Sequence, residues 1–278
     1  MIGLSSHPST CVRPTDQRQC VAMLIDENDR PISIIFIPHS DENRGPDHPI
    51  PDTSSHTSWT LAYMQPAIHG DWYWEHTEDN PELYKYLPFG PYDSKEELFE
   101  TLFTRGIQPD QGFIVYAAYD KVFWPNPTPA GIIALLHGSP KNLSVEIGFV
   151  VAFPKYQRTH ITSNMVGLLL QYCLEVPEHG GLGLRRVQWQ ANARNEASVK
   201  TALRMGFQHE GVKRWDRVIP VSIFKPNTVE KLPREGDPRR TDPGRHTTVL
   251  GLCWDDWEDG TREKVREAMR PRSDSRKM

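Results

Sequence analysis

The chain has 278 residues, 37% hydrophobic and 24% charged, with a formal net charge of −4. That is enough apolar material for a sizeable core, and the near-balanced charge argues against a nucleic-acid-binding protein. No apolar run approaches the roughly 20 residues that a membrane helix needs.

The opening MIGLSSHPSTCVRPTDQRQC lacks the apolar stretch of a signal peptide, and Pro8, Pro14 and Asp16 interrupt any amphipathic leader. A cytoplasmic protein without a membrane partner is expected. Cys11, Cys20, Cys173 and Cys253 show no CxxC spacing, and the histidines no HExxH, so reduced thiols and no metal site are expected.

Residues 1–20 are polar and unpatterned and read as a loose arm. Residues 21–57 read as extra N-terminal strands and a connector: two strands rich in Ile flank a DENDRP turn, and Pro, Asp, Asn, Gly and Ser collect after them. SWTLAYM at 58–64 alternates as a strand does, and an aromatic-rich helix follows Pro66. Asp93 or Ser94 is placed to cap the helix SKEELFETLFTRG, which Gly106 closes. GFIVYAAYD, AGIIALLHG and SVEIGFVVAF form an antiparallel meander.

Thr159–Glu175 is a helix, with Val166, Leu169, Leu170 and Cys173 at helical spacing. RRVQWQAN is a strand, EASVKTALRMG a helix, and FQHEGVKRWDRVI a long strand. Residues 220–245 contain five prolines and read as an inserted loop. HTTVLGLCWDDW at 246–257 returns to strand character, and 258–278 reads as a charged C-terminal tail, a frayed helix followed by disorder. The order of elements predicts an α+β (mixed α/β) fold, one sheet with helices on its faces.

Two units carry chemistry. In SVEIGFVVAFPKYQRTHITSNM a strand passes through a polar turn into a helix whose first amides and dipole favour an anion. Downstream, a strand delivers Asn192 and Asn195 to its exit, Ser198 lies in the first helical turn, and Gly206-Phe207 ends the helix. Glu146 stands mid-strand between apolar neighbours and faces the other way from them, where it can act as a base or as a solvated carboxylate.

These motifs resemble the GNAT superfamily, in the branch of the ribosomal-protein alanine acetyltransferases and their small-molecule-directed relatives. That branch has a loop of the form QRTRxATEA, matched by Gln157, Arg158, Thr159 and the residues to Met165. Its second motif, of the form RxEWKCDxxNxxSxxAAxRxGFxxEG, is matched by Arg186, Trp189, Asn195, Ser198, Ala202, Arg204, Gly206, Phe207, Glu210 and Gly211. Tyr86–Tyr92 resembles its YLPxGPF piece.

The resemblance covers residues 55 to 257 and implies a GNAT domain over 58–257, its sheet central, twisted and mostly antiparallel with helices on both faces. It implies acetyl-CoA as co-substrate and direct transfer of an acetyl group to the amine of a small molecule, with protein acetylation or a silent acyl-CoA-binding module as alternatives. The strand at Phe149, Val150 and Val151 would hold the pantetheine arm. Gln157, Arg158, Thr159, His160, Ile161 and Thr162 would wrap the pyrophosphate, and Asn192, Asn195 and Ser198 would line the channel. Glu146 would be the base and Ser198 a hydrogen-bonding partner of the sulfur. Trp72, Tyr86, Phe89, Glu146 and Trp215 would form the acceptor pocket. Two departures stand out: His160 occupies a position where glycine is common, and Ala202 replaces the tyrosine that serves many relatives as general acid. A homodimer is left open.

Overall fold

The computed structural model describes residues 19–25, 31–38, 59–64, 66–107, 113–120, 128–223, 228–229 and 232–270. Most of the expected N-terminal arm, the DENDRP and WPNPTP turns, the connector at 41–57 and the end of the charged tail lie outside these residues. The chain divides into two units, Met1–Gly45 and Pro46–Met278. In the first, β1 (Gln19–Ile25) pairs antiparallel with β2 (Pro31–Pro38).

The second unit is built on a seven-stranded sheet. Its strands are β3 (Trp59–Tyr63), β4 (Ile114–Asp120), β5 (Thr128–Ser139), β6 (Ser144–Ala152), β7 (Arg186–Asn192), β8 (Gln208–Val218) and β9 (Gly244–Cys253). They lie in the order β3-β4-β5-β6-β7-β9-β8. Every neighbouring pair is antiparallel except β6 and β7, because the helical crossover between those two returns the chain in the same direction. This is the mixed, mostly antiparallel sheet expected from the order of elements.

The helices are α1 (Pro66–Thr77), α2 (Lys95–Leu98), α3 (Ile161–Leu174), α4 (Glu196–Arg204), α5 (Trp254–Asp256) and α6 (Arg262–Met269). Ser94 caps α2 by accepting a hydrogen bond from the Glu97 amide, and α2 runs on as a wider helical segment through Ile107. In α3 the apolar spacing read from the sequence buries Val166, Leu169, Leu170 and Cys173 completely. Gly206 ends α4 at φ +94, a left-handed position that favours glycine.

Three boundaries differ from the sequence expectation. β9 stops at Cys253, and Trp254–Asp256, read from the sequence as strand, form α5. β9 opens at Gly244 rather than at His246, so Arg245 belongs to the sheet and not to the inserted loop; its register partner is Arg217 on β8. Residues 262–269, which the sequence assigns to the charged tail, form α6 and dock on α3. Val265 is fully buried, Met269 covers Gly167, and Arg262 pairs with Glu175 at 2.9 Å. The sequence hides this docking, because only Val265, Ala268 and Met269 in an otherwise charged helix supply apolar contacts for it.

Candidate active site

The parallel pairing of β6 with β7 covers only Ser144–Ile147 against Arg186–Trp189. Beyond it both strands continue, to Ala152 and to Asn192, without pairing to each other. An irregularity in the β5–β6 register falls at the same place, and Phe149 there adopts φ +48. Gly131 on β5 lets the kinked strand approach, since a Cβ at that position would fall on the Val151 carbonyl oxygen. The two strands thus part into a cleft of about 1080 Å³. A smaller cavity of about 360 Å³, beside Leu174, Leu184 and Trp254, contains none of the expected site residues.

Glu146 sits at the point of divergence and is 4% exposed. Its Oε2 accepts hydrogen bonds from Gln190 Nε2 at 2.6 Å and Gln188 Nε2 at 3.3 Å, and lies 3.0 Å from His137 Nδ1. Gln188 is the register partner of Glu146, and Gln190 lies one pleat further along the same face. A buried carboxylate needs such partners. His137 stands at φ +51 beside a second β5–β6 irregularity, with a side chain more than half exposed. Its imidazole therefore joins the buried carboxylate to solvent.

The residues expected to hold the cofactor gather on the same cleft. Phe149, Val150 and Val151 line its β6 wall, Gln157, Arg158, Thr159, His160 and Thr162 the start of α3, and Asn192, Asn195 and Ser198 the exit of β7. Ile161 does not line the cleft: its side chain is fully buried in the core. The Thr159 hydroxyl donates to the Tyr156 carbonyl at 2.7 Å and accepts from the Ile161 amide at 3.3 Å, which fixes the turn.

His160 has φ −76 and so needs no glycine; Arg158, at φ +62, is the residue in the left-handed region. Burial holds the His160 imidazole below its ordinary value, with the Asp120 charge opposing that shift.

Asn195 caps α4 by accepting from the Ser198 amide at 3.1 Å, and the Ser198 hydroxyl accepts from Trp189 Nε1 at 3.0 Å. The serine O–H is left to donate into the cleft. Asn192, besides lining the cleft, has a second role. Its Nδ2 donates to the Thr228 carbonyl at 2.8 Å and its Oδ1 accepts from the Arg194 amide, so it anchors the inserted loop at the cleft edge. Ala202 is fully buried and supplies no acid.

The expected acceptor pocket is only partly assembled. Tyr86 lines the cleft. Phe89 supports the wall from behind, its ring 4.7 Å from that of Phe149. Trp72 packs edge-on against Phe153 and Tyr119, outside the cleft. Trp215 is half-exposed, lies over Gly244 and His246, and also lies outside it. Sequence alone could not fix these two, because the direction of an aromatic ring depends on register and bulges.

Several cleft residues carry no signal in the sequence. His137, Gln190, Arg217 and Arg245 are brought in by strand register, Lys200 by α4 and Arg270 by the docking of α6. Among the described residues, Cys253, Asp255 and Asp256 converge away from the cleft. Asp256 there accepts from the Cys253 amide at 3.1 Å and from Gln208 Nε2 at 2.5 Å, the bonding of a helix cap.

Several solved structures share this architecture. A GCN5-related N-acetyltransferase from Brucella melitensis aligns with a TM-score of 0.62 and 23% identity, over 86% of this chain and 95% of its own. A probable GNAT-family acetyltransferase from Chromobacterium violaceum aligns at 0.58 and 21%, over 77% and 96%. An acetyltransferase structure from T. thermophilus aligns at 0.59 and 21%, over 78% and 96%. These likenesses establish the fold. No curated protein sequence matches the chain. The model of the acetyltransferase (GNAT) domain family matches residues 61–208, more than half of the chain and the whole stretch that carries the divergent strands, the α3 loop and α4. The chain therefore belongs to the GNAT acetyltransferase family and is an acyltransferase.

Proposed function

We propose that the protein transfers an acetyl group directly from acetyl-CoA to the amine of a small molecule, with Glu146 as the base. The observation that carries this reading is a buried carboxylate, held by three polar side chains, at the place where β6 and β7 part.

The residues present fit acetyl-CoA. The unpaired β6 edge at Phe149–Val151 offers main-chain groups to a pantetheine amide, and the turn at Gln157–Thr162 leads into a helix start suited to an anion. Arg158, Lys200, Arg204 and Arg270 add positive charge along the same cleft. When bound, the cofactor supplies an acyl group activated as a thioester.

The chain's own groups then position the amine and move its proton. An alkylamine is an ammonium at neutral pH, its pKa being about 10, and must lose a proton to attack. Glu146 takes that proton, Gln188 and Gln190 hold the carboxylate in place, and His137 links it to solvent. Ser198 donates toward the leaving sulfur in place of the tyrosine that Ala202 replaces. Phe113, Tyr86 and Phe149 give the cleft apolar walls that restrict water.

The test is thiol release from acetyl-CoA with a panel of small amines and N-terminal peptides. Glu146→Gln should lower kcat/KM by about a hundredfold or more, while CoA binding measured by calorimetry stays unchanged. Turnover of peptides alone would replace the small-molecule reading. CoA binding without turnover of any amine would replace the enzyme reading with an acyl-CoA-binding module.

A further inference from the structure

The face of the sheet that carries Glu146 continues across β7 onto β9 and β8. Gln188, Gln190 and Asn192 alternate along β7, Thr247 is the partner of Asn192, and Arg245 lies one pleat beyond the end of β7. Arg217 is the partner of Arg245 on β8. Both arginines line the same cleft as Glu146.

Arg245 is unusual for a cation. It is 6% exposed, and its Nε, buried, has no hydrogen-bond partner among the described residues. The rest of its guanidinium reaches only neutral oxygens there, the Tyr86 carbonyl at 3.4 Å from Nη1 and the Thr247 hydroxyl at 3.2 Å from Nη2. No described carboxylate forms an ion pair with it. Asp216, a neighbouring acid on β8, is engaged by the Thr247 hydroxyl at 2.7 Å and by Arg217 at 3.7 Å.

Burial and the neighbouring Arg217 push the Arg245 guanidinium down to about 10, and the charges of Asp216 and Glu146 offset this only in part. A buried charge normally has a partner. Here no described residue supplies one, and the orphaned donor borders the acceptor side of an acyl-transfer cleft.

We propose that the acceptor amine also carries a carboxylate, which Arg245, aided by Arg217, binds at the β8–β9 end of the cleft while the amine faces Glu146. The guanidinium fork matches a carboxylate in two hydrogen bonds. An anionic group there supplies the missing counter-charge, and the amine and acid ends of one molecule are thereby read by oppositely charged residues. This rests on the acyl-transfer reading above and narrows its substrate class to amino acids in the broad sense. The anions of CoA are the other source of negative charge. Arg158, Lys200, Arg204 and Arg270 line the same cleft and are the cations proposed above for CoA, so CoA binding by the variants tells the two sources apart.

The experiment has two arms. In the first, acetylation is compared between ω-amino acids from glycine to 6-aminohexanoate, and phenylalanine, and the matching amines without the carboxylate. At least one acid should be preferred by about tenfold or more in kcat/KM, the worth of one charge-assisted hydrogen bond. Arg245→Gln and, independently, Arg217→Gln should remove the preference.

The second arm needs no turnover. Thermal stabilisation by hexanoate and 3-phenylpropanoate is compared with that by hexanol and 3-phenylpropanol, in the wild type and both variants, with CoA binding as the control for folding. Stabilisation by the acids alone, lost in the variants while CoA still binds, supports the subsite even if no amine is ever acetylated. Equal response to acids and alcohols, or a carboxylate preference that survives both substitutions, overturns it. Loss of CoA binding in Arg245→Gln places the guanidinium in the cofactor site instead and also overturns the inference, provided that variant unfolds as cooperatively as the wild type.

Discussion

Glu146 and His137 show how a residue's role follows from its surroundings. The carboxylate is buried between two glutamine amides, and the titratable side chain within hydrogen-bonding reach of it, His137, is more than half exposed. In the proposed mechanism, protons that Glu146 takes from an amine leave to water through that imidazole. At φ +51 the backbone of residue 137 suits glycine at least as well as histidine. His137→Gly should therefore fold normally while kcat falls on the order of tenfold, less than for Glu146→Gln. Imidazole added to the medium should restore part of the rate, an effect that a purely structural histidine would not show. Unchanged kcat in the glycine variant would remove His137 from the proton path. Glu146 was visible in the sequence as a charged residue in an apolar strand. His137 was not, because the stretch LLHGSP carries no sign of the bulge that turns its ring toward β6.

Among the elements, α6 is the one whose docking the sequence least suggests. Its composition, REKVREAM, reads as solvated, yet Val265 is fully buried and Arg262 and Arg266 reach Glu175 at the end of α3. Arg270, which lines the cleft, follows directly. Val265→Ala should cost about 1–3 kcal/mol of stability in urea unfolding, whereas Lys264→Ala, on the exposed face, should change it by less than about 0.5 kcal/mol. An equal, negligible effect of both would mean that α6 does not dock. The long β8 shows the converse. It is exposed along nearly its whole length and carries Lys213, Arg214, Asp216 and Arg217, a composition that discourages pairing with another sheet edge.

At the scale of the whole molecule, the core runs between the sheet and α3, and Cys173 lies inside it with no exposure; burial pushes its thiol well above the usual range. Alkylation of Cys173, followed by mass spectrometry of its peptide, should proceed only as the core unfolds and should accelerate in Val265→Ala. Cys253, partly exposed, should react before Cys173. Rapid labelling of Cys173 in the native protein would contradict the packing described. No helix among the described residues is long and apolar enough to cross a membrane.

The sequence by itself determined the order of strands and helices, the apolar face of α3, a cap for α2 at Asp93 or Ser94, and the family to which these belong. Each of these depends on neighbours close in the chain, through periodicity, capping and turn chemistry. The tertiary structure decided the rest: where β6 leaves β7, that Asn192 holds the inserted loop, that Trp72 and Trp215 stand outside the cleft, and that Arg245 shares it with Glu146. Those depend on register and on bulges, where one residue of slip turns a side chain to the opposite face, and no local pattern records them.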